Sequence, residues 1–156
     1  MREIKLVDLH KDEEIQEYIR KADEYLGVIG FTEHGFRHVG LVSHLAQNIL
    51  IQLGYPARMA ELAGIAGYLH DIGNVISRYE HGIAGGIIAQ NLLSKRGMPP
   101  EEVTQVIGAI GNHEEEYGSA VSPVAAALII ADKSDVHRTR VRNTDFATFD
   151  IHDRVN

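Results

Sequence analysis

The sequence predicts an all-α domain, a bundle of six or seven helices joined by short connections. Three observations carry that expectation. Apolar residues recur every three or four positions, with no sustained alternation of the kind a half-buried strand shows. Proline, glycine and small oxygen-bearing residues fall where helices start and stop. The 156 residues, 44% hydrophobic and 24% charged, have ordinary globular composition and are enough for one packed core.

Each element has its own punctuation. Asp12 caps a first helix to about Leu26, with Ile15, Tyr18, Ile19, Ala22 and Leu26 on one stripe. Thr32 is the expected cap of a second helix, which carries Leu41, Val42, Leu45, Ile49 and Leu53 and stops at Gly54. Pro56 opens a third that reaches His70-Asp71 before Gly73. A fourth runs from about Glu80 to Arg96, closed by Gly97. Pro99 and Pro100 start a fifth, through Val103, Val106, Ile107 and Ile110 to about His113. Ser122-Pro123 opens a sixth, to about Val136. Phe146 to Val155 reads as the start of a further element. We expect a single domain over residues 1–156 with no repeat or linker. The abrupt ending reads as a chain that closes against a partner or is a shortened form.

Composition narrows the chemistry. There is no cysteine, so any metal must be held by His, Asp or Glu. The longest near-apolar stretch, Ala120 to Ala131, is shorter than the roughly 20 residues of a membrane span. The charged N-terminus lacks a signal-peptide core. A cytoplasmic protein with no membrane partner is the expectation. A net charge of −7 disfavours a nucleic acid polymer as partner. Homo-oligomers are left open.

Nine histidines are the unusual feature. His38, the adjacent pair His70-Asp71, His81, His113 and Asp132 fall near the ends or along one face of five helices. Imidazole and carboxylate together suit zinc, iron, manganese, nickel or cobalt, and clusters gathered from several helices build bundle-core metal sites. The other readings are bland. A lone histidine is usually structural or on the surface, and His113 could cap a helix end. His34, four residues before His38, is expected on the same helix face. It is a rival ligand, and a substrate-side role is preferred. His10, His44, His137 and His152 read as surface residues. The run Glu114-Glu115-Glu116 after His113 is not HExxH, which excludes that metalloprotease pattern; it reads first as a solvated helix end and second, at Glu114, as a support behind a metal ligand.

The ordered pattern H…HD…H…H…D resembles the HD superfamily of metal-dependent phosphohydrolases. The carrying segments are "GFRHVGLV", "YLHDIGN", "YEHG", "GNHEEE" and "IIADKSD", over residues 30 to 140 or so. The resemblance implies that His38, His70, Asp71 and Asp132 bind one divalent transition metal. His81 and His113 would add a second, with Asp71 bridging. Asp71 would then serve catalysis directly, and a metal-activated water would attack phosphorus. Two departures stand out. Asn74 replaces the lysine that often follows "HDIG". The pair Asn112-His113, without a downstream Gly-Tyr-Pro, argues against the cyclic di-GMP phosphodiesterases of the superfamily.

Lys133, with Arg138, Arg140 and Arg142, offers cations for a substrate phosphate, and Lys133 and His34 are the further catalytic candidates. A solvated lysine and a charged surface loop are the competing readings. Asp135 reads first as a surface partner of Arg138 and second as a group that orients a ligand. The expected function is hydrolysis of a nucleotide or another small phosphate mono- or diester. The alternative is a non-catalytic regulatory module that binds a nucleotide or metal in the same pocket.

Overall fold

The computed structural model describes residues 2–136 and residue 140. Among these the chain forms seven α-helices, one 3-10 turn and no strand. They are α1 (Leu6–His10), α2 (Glu13–Val28), α3 (Phe36–Gln52), α4 (Ala57–Leu69), the 3-10 turn (Ile72–Val75), α5 (His81–Lys95), α6 (Pro100–Gly111) and α7 (Pro123–Lys133). The all-α bundle expected from the sequence is what forms. The seventh helix is the short α1, which the sequence reading passed over. The element expected at Phe146–Val155 lies outside the described residues.

The caps explain most boundaries. The Asp12 side chain accepts the N–H groups of Glu14 and Ile15, and the Ser122 hydroxyl accepts that of Ala125. Gly54 and Gly97 stand at φ +81° and +91°, the left-handed geometry that ends α3 and α5. Thr32 caps nothing. It is buried, and α3 begins four residues later at Phe36. Asp23 on α2 accepts the His34 N–H at 2.9 Å and Glu33 accepts that of Gly35 at 3.1 Å, which holds the segment extended. The buried stripe of α3 is Val39, Val42, Ala46 and Leu50, and Leu53 is exposed.

Helix α4 is the centre of the bundle. It packs on α1, α3, α6 and α7, and every residue from Leu62 to Leu69 is buried. Each large side chain there, such as Leu62, Ile65 or Leu69, contributes roughly 1.5–3 kcal/mol by leaving water. Small residues bring α3 and α4 close together. A Cβ on Gly67 would stand 2.8 Å from the Ser43 backbone, and the Ser43 hydroxyl donates to the Gly64 carbonyl at 2.6 Å. This crossing sets His38 of α3 beside the C-terminal end of α4. On the other side α5 packs against α6 and the 3-10 turn, and α2 covers that turn.

One polar clamp ties down the N-terminal segment. Arg58 on α4 makes a two-pronged bond to Glu102 of α6, at 2.8 and 2.6 Å, and also reaches Glu61 and the Ile4 carbonyl. Replacement by alanine is expected to cost about 2–3 kcal/mol in chemical denaturation at pH 7. The Arg58 guanidinium holds the Glu102 carboxyl below its usual range. A carboxyl lowered in this way stabilises the fold above its unfolded pKa, and the contribution fades as pH falls through the folded value. The gap between wild type and Arg58→Ala should therefore be full at neutral pH and close below about pH 4. A gap that persists unchanged at pH 3 would show the loss to be one of packing.

Candidate metal centre

His70 is the residue at which α4 ends, and Asp71 opens the 3-10 turn with φ −96° and ψ 2°. That change of backbone lets neighbouring side chains, which a helix would splay by about 100°, face one region. His38 is the third residue of α3, His81 the first of α5, His113 lies just beyond α6, and Asp132 is in the last turn of α7. Glu80, before His81, has a left-handed backbone at φ 52°, a strained setting for a non-glycine residue beside a functional group.

These six side chains form one cluster that Asp71 divides into two groups, and His70, His113 and Asp132, taken across the division, also lie close enough together to hold an ion. Asp71 Oδ2 lies 3.3 Å from His38 Nε2 and 3.1 Å from His70 Nε2. Asp132 Oδ1 lies 3.2 Å from both of those nitrogens. Asp71 Oδ1 faces the other way, 3.4 Å from His81 Nε2 and 3.7 Å from His113 Nε2. Within the groups, His38 and His70 approach Nε2 to Nε2 at 3.3 Å, and His81 and His113 at 3.0 Å. All except the partly exposed Asp132 are buried.

The donor set fits cations. The Nδ1 atoms of His70 and His113 face the carbonyls of Gly67 and Ile110 at 2.7 and 2.5 Å, so each Nδ1 carries the donated proton and leaves Nε2 as a lone pair. His81 Nδ1 lies 2.9 Å from Glu114 and 3.1 Å from the Arg78 carbonyl. Nitrogen and oxygen donors around a shared ion at about 2.1 Å stand roughly 3.0–3.4 Å apart, which matches every one of these separations except the longer 3.7 Å from Asp71 to His113. Asp71 Oδ2 is buried and accepts no hydrogen bond, an orphan that a cation would satisfy.

Electrostatics point the same way. Burial pulls His38 down, but the carboxylates of Asp132, Asp135 and Asp71 outweigh it and push the imidazole up to about 9. Burial likewise opposes charge on His70, yet Asp71 and Asp132 hold it well above its usual value. Asp71 and Asp132 stay well below the normal carboxylate range despite burial, chiefly because of His70. The pocket thus demands positive charge, which protons or a metal can supply.

Around the ligands, the structure departs from several sequence expectations. His34 precedes α3 rather than lying on it, so the shared helix face with His38 does not exist. Its Nδ1 donates to the Thr32 carbonyl at 2.6 Å, and burial pulls its pKa to about 3. It is a neutral imidazole whose ring meets that of His38 edge-on, with centroids 5.3 Å apart, and it stands outside the ligand groups. Asp135 is no surface residue. Its side chain is 1% exposed, and Oδ2 accepts from His38 Nδ1 and from Arg37, each at 2.7 Å. Glu114 likewise orients His81 and accepts the Gly82 N–H. Lys133 points to the exposed Glu115 at 2.8 Å. Arg140 is spent on structure: it donates to the carbonyls of Glu33 and Asp135, each at 2.8 Å. Arg138 and Arg142 lie outside the described residues, as do His137 and His152. His44 is exposed, and His10 packs edge-on against Tyr68.

Residues 35–136 match the HD domain family, a segment that holds every residue of both groups. The chain belongs to the HD superfamily. Its fold agrees with a crystal structure of a predicted HD superfamily hydrolase from an uncultured Thermotogales bacterium. The TM-score is 0.59 and the identity 24%, over 83% of this chain and 73% of that one. A curated relative is the potassium-transporting ATPase KdpC subunit of Methylobacterium nodulans, 30% identical over 113 residues, 66% of this chain and 56% of that protein. Another is an uncharacterized protein of Methanocaldococcus jannaschii, 25% identical over 86% of this chain and 60% of that protein. The chain therefore spans less than two thirds of either curated relative. No described helix is long and apolar enough to cross a membrane.

Proposed function

We propose that this HD-domain protein is a metal-dependent phosphohydrolase that works with two divalent cations. Its substrate is a nucleotide or another small phosphate mono- or diester. The observation that carries the reading is the division of Asp71, one oxygen toward His38, His70 and Asp132 and the other toward His81 and His113. A divalent pair would supply Lewis acidity toward a phosphoryl oxygen and a water ionised near neutral pH.

The chain's own residues do the rest. Four Nε2 atoms and two carboxylates converge as preplaced lone-pair donors, which would hold the cations without rearrangement of the protein. The Nδ1 bonds to Gly67, Ile110 and Asp135 lock ring orientation and tautomer. His34, neutral and held by the Thr32 carbonyl, is suited to hydrogen bonding at the rim and unsuited to act as a general base at neutral pH.

Elemental mass spectrometry of purified protein, paired with a panel of phosphate mono- and diesters, tests the reading. Two transition-metal ions per chain and turnover of at least one ester are expected. One ion per chain would confine the centre to His38, His70, Asp71 and Asp132. Tight nucleotide binding with no product under any metal would favour a regulatory module.

Asp135 supplies a separate check. Asp135→Asn keeps the shape but removes the charge behind His38, and should weaken metal affinity about 10–100-fold in a competitive chelator titration. Unchanged affinity would show that Asp135 serves only the Arg37 and Arg140 contacts.

A further inference from the structure

We propose that Arg78 is the anion-binding residue at the rim of the metal centre, and that it grips a phosphate of the substrate. The proposal rests on the phosphohydrolase reading and names the residue that makes it selective for phosphorylated ligands.

Arg78 is exceptional among the described arginines. Arg2, Arg20, Arg37, Arg58, Arg96 and Arg140 each pair with a carboxylate within 4 Å. Arg78 pairs with none among the described residues, in a chain of net charge −7 where acids outnumber bases by 22 to 15. It is not a freely solvated side chain either. It is half-buried, its guanidinium carbon sits 5.0 Å from the centroid of the Phe31 ring, and its one side-chain hydrogen bond among the described residues is a long 3.5 Å contact from Nη1 to Asn74 Oδ1. The ring and the amide hold the fork in place and leave most of its five N–H donors without a partner among the described residues.

Its location ties it to the centre. Arg78 lies between Asp71 and His81 in sequence. Its own carbonyl is 3.1 Å from His81 Nδ1, and Asn74, which it contacts, donates from Nδ2 to the Asp71 carbonyl at 2.9 Å. Asn74 carries no charge of its own, and Lys133 and Arg140 are committed to Glu115 and Asp135. A pre-oriented guanidinium with free donors matches two oxygens of a phosphate, and a lysine at the same place would offer only a point charge. A phosphorylated ligand that reaches the cations with one oxygen can place others on Arg78.

The test is equilibrium binding of inorganic phosphate to the manganese-loaded protein, with Arg78→Gln and Arg78→Lys beside the wild type and metal content measured on each. A loss of at least tenfold in phosphate affinity is expected for Arg78→Gln at equal metal content, with a smaller loss for Arg78→Lys. Equal affinity in wild type and Arg78→Gln, or no phosphate binding by the wild type, overturns the proposal. If Arg78→Gln is insoluble, unchanged affinity in Arg78→Lys overturns the bidentate grip. Steady-state kinetics separates the two readings. A higher KM with a smaller change in kcat supports both. Phosphate binding that depends on Arg78, without turnover of any ester, leaves the anion site standing and removes the hydrolase. Turnover indifferent to Arg78→Gln does the reverse.

Discussion

An Asp71→Ala protein should lose its metal and its turnover together while its helical circular dichroism stays intact. The carboxylate is the one side chain that both ligand groups share, so its removal opens a position in each. The fold does not depend on it. The neighbouring turn is held by the Asp71 carbonyl, which accepts the N–H and the side-chain amide of Asn74, and alanine keeps that carbonyl. A fall in kcat of roughly 10³-fold or more is the scale for removing a group on which the developing charge depends. Asp71→Asn sharpens the result. The amide can offer oxygen to one group only, and its nitrogen then faces the other, so one ion per chain should replace two. Full turnover or two retained ions in the alanine variant would remove Asp71 from the chemistry.

The largest structural effect is expected from one added methyl group at Gly73. A Cβ there would collide with the His81 carbonyl and stand 2.5 Å from the Gly85 nitrogen, both backbone atoms of α5. No rotamer relieves a backbone clash, so α5 must lift away from the 3-10 turn. Overpacking of this kind costs about 3 kcal/mol or more, which for a chain of this length lowers Tm by roughly 6–12 °C. The displaced helix carries His81 and packs against α6, which presents His113. Gly73→Ala should therefore lose metal first from the His81 and His113 side, in proportion to its fall in Tm. A variant that melts with the wild type would mean that the turn and α5 are less tightly joined than the structure has them.

How far the sequence could be read depended on where the deciding contact lay. Asp12, Pro56, Pro100 and Ser122 act on the few residues that follow them, and the helices they open were legible one at a time. Thr32 misled because the contact that governs its segment comes from Asp23 on another helix, which accepts the His34 N–H across eleven positions. The five-residue α1 has no strong signal of its own, since Glu61 and Arg58 on α4 hold it in place. In the centre, the ordered histidines and aspartates were visible as a spaced pattern. Their supports were not. Asp135 meets His38 across 97 positions and Glu114 meets the Gly82 N–H across 32, so the sequence offered each as a support for a ligand but ranked the surface reading ahead of it. The cations show the same limit. Lys133 and Arg140 read as available in the sequence and have partners in the fold, and Arg78, which no sequence pattern singles out, stands apart only because every other described arginine has a carboxylate partner.

The ligands also sit far apart along the chain, with His38 and His70 separated by 32 positions, His81 and His113 by 32, and His70 and Asp132 by 62. In a protein without cysteine, an ion held by such pairs is a covalent cross-link in all but name. Closing a loop of about 30 residues removes enough freedom from the unfolded chain to be worth about 4 kcal/mol in the chain-entropy picture. Metal supply would then set how long the protein survives, apart from how fast it works: the folded population would rise and fall with the free ion concentration around it.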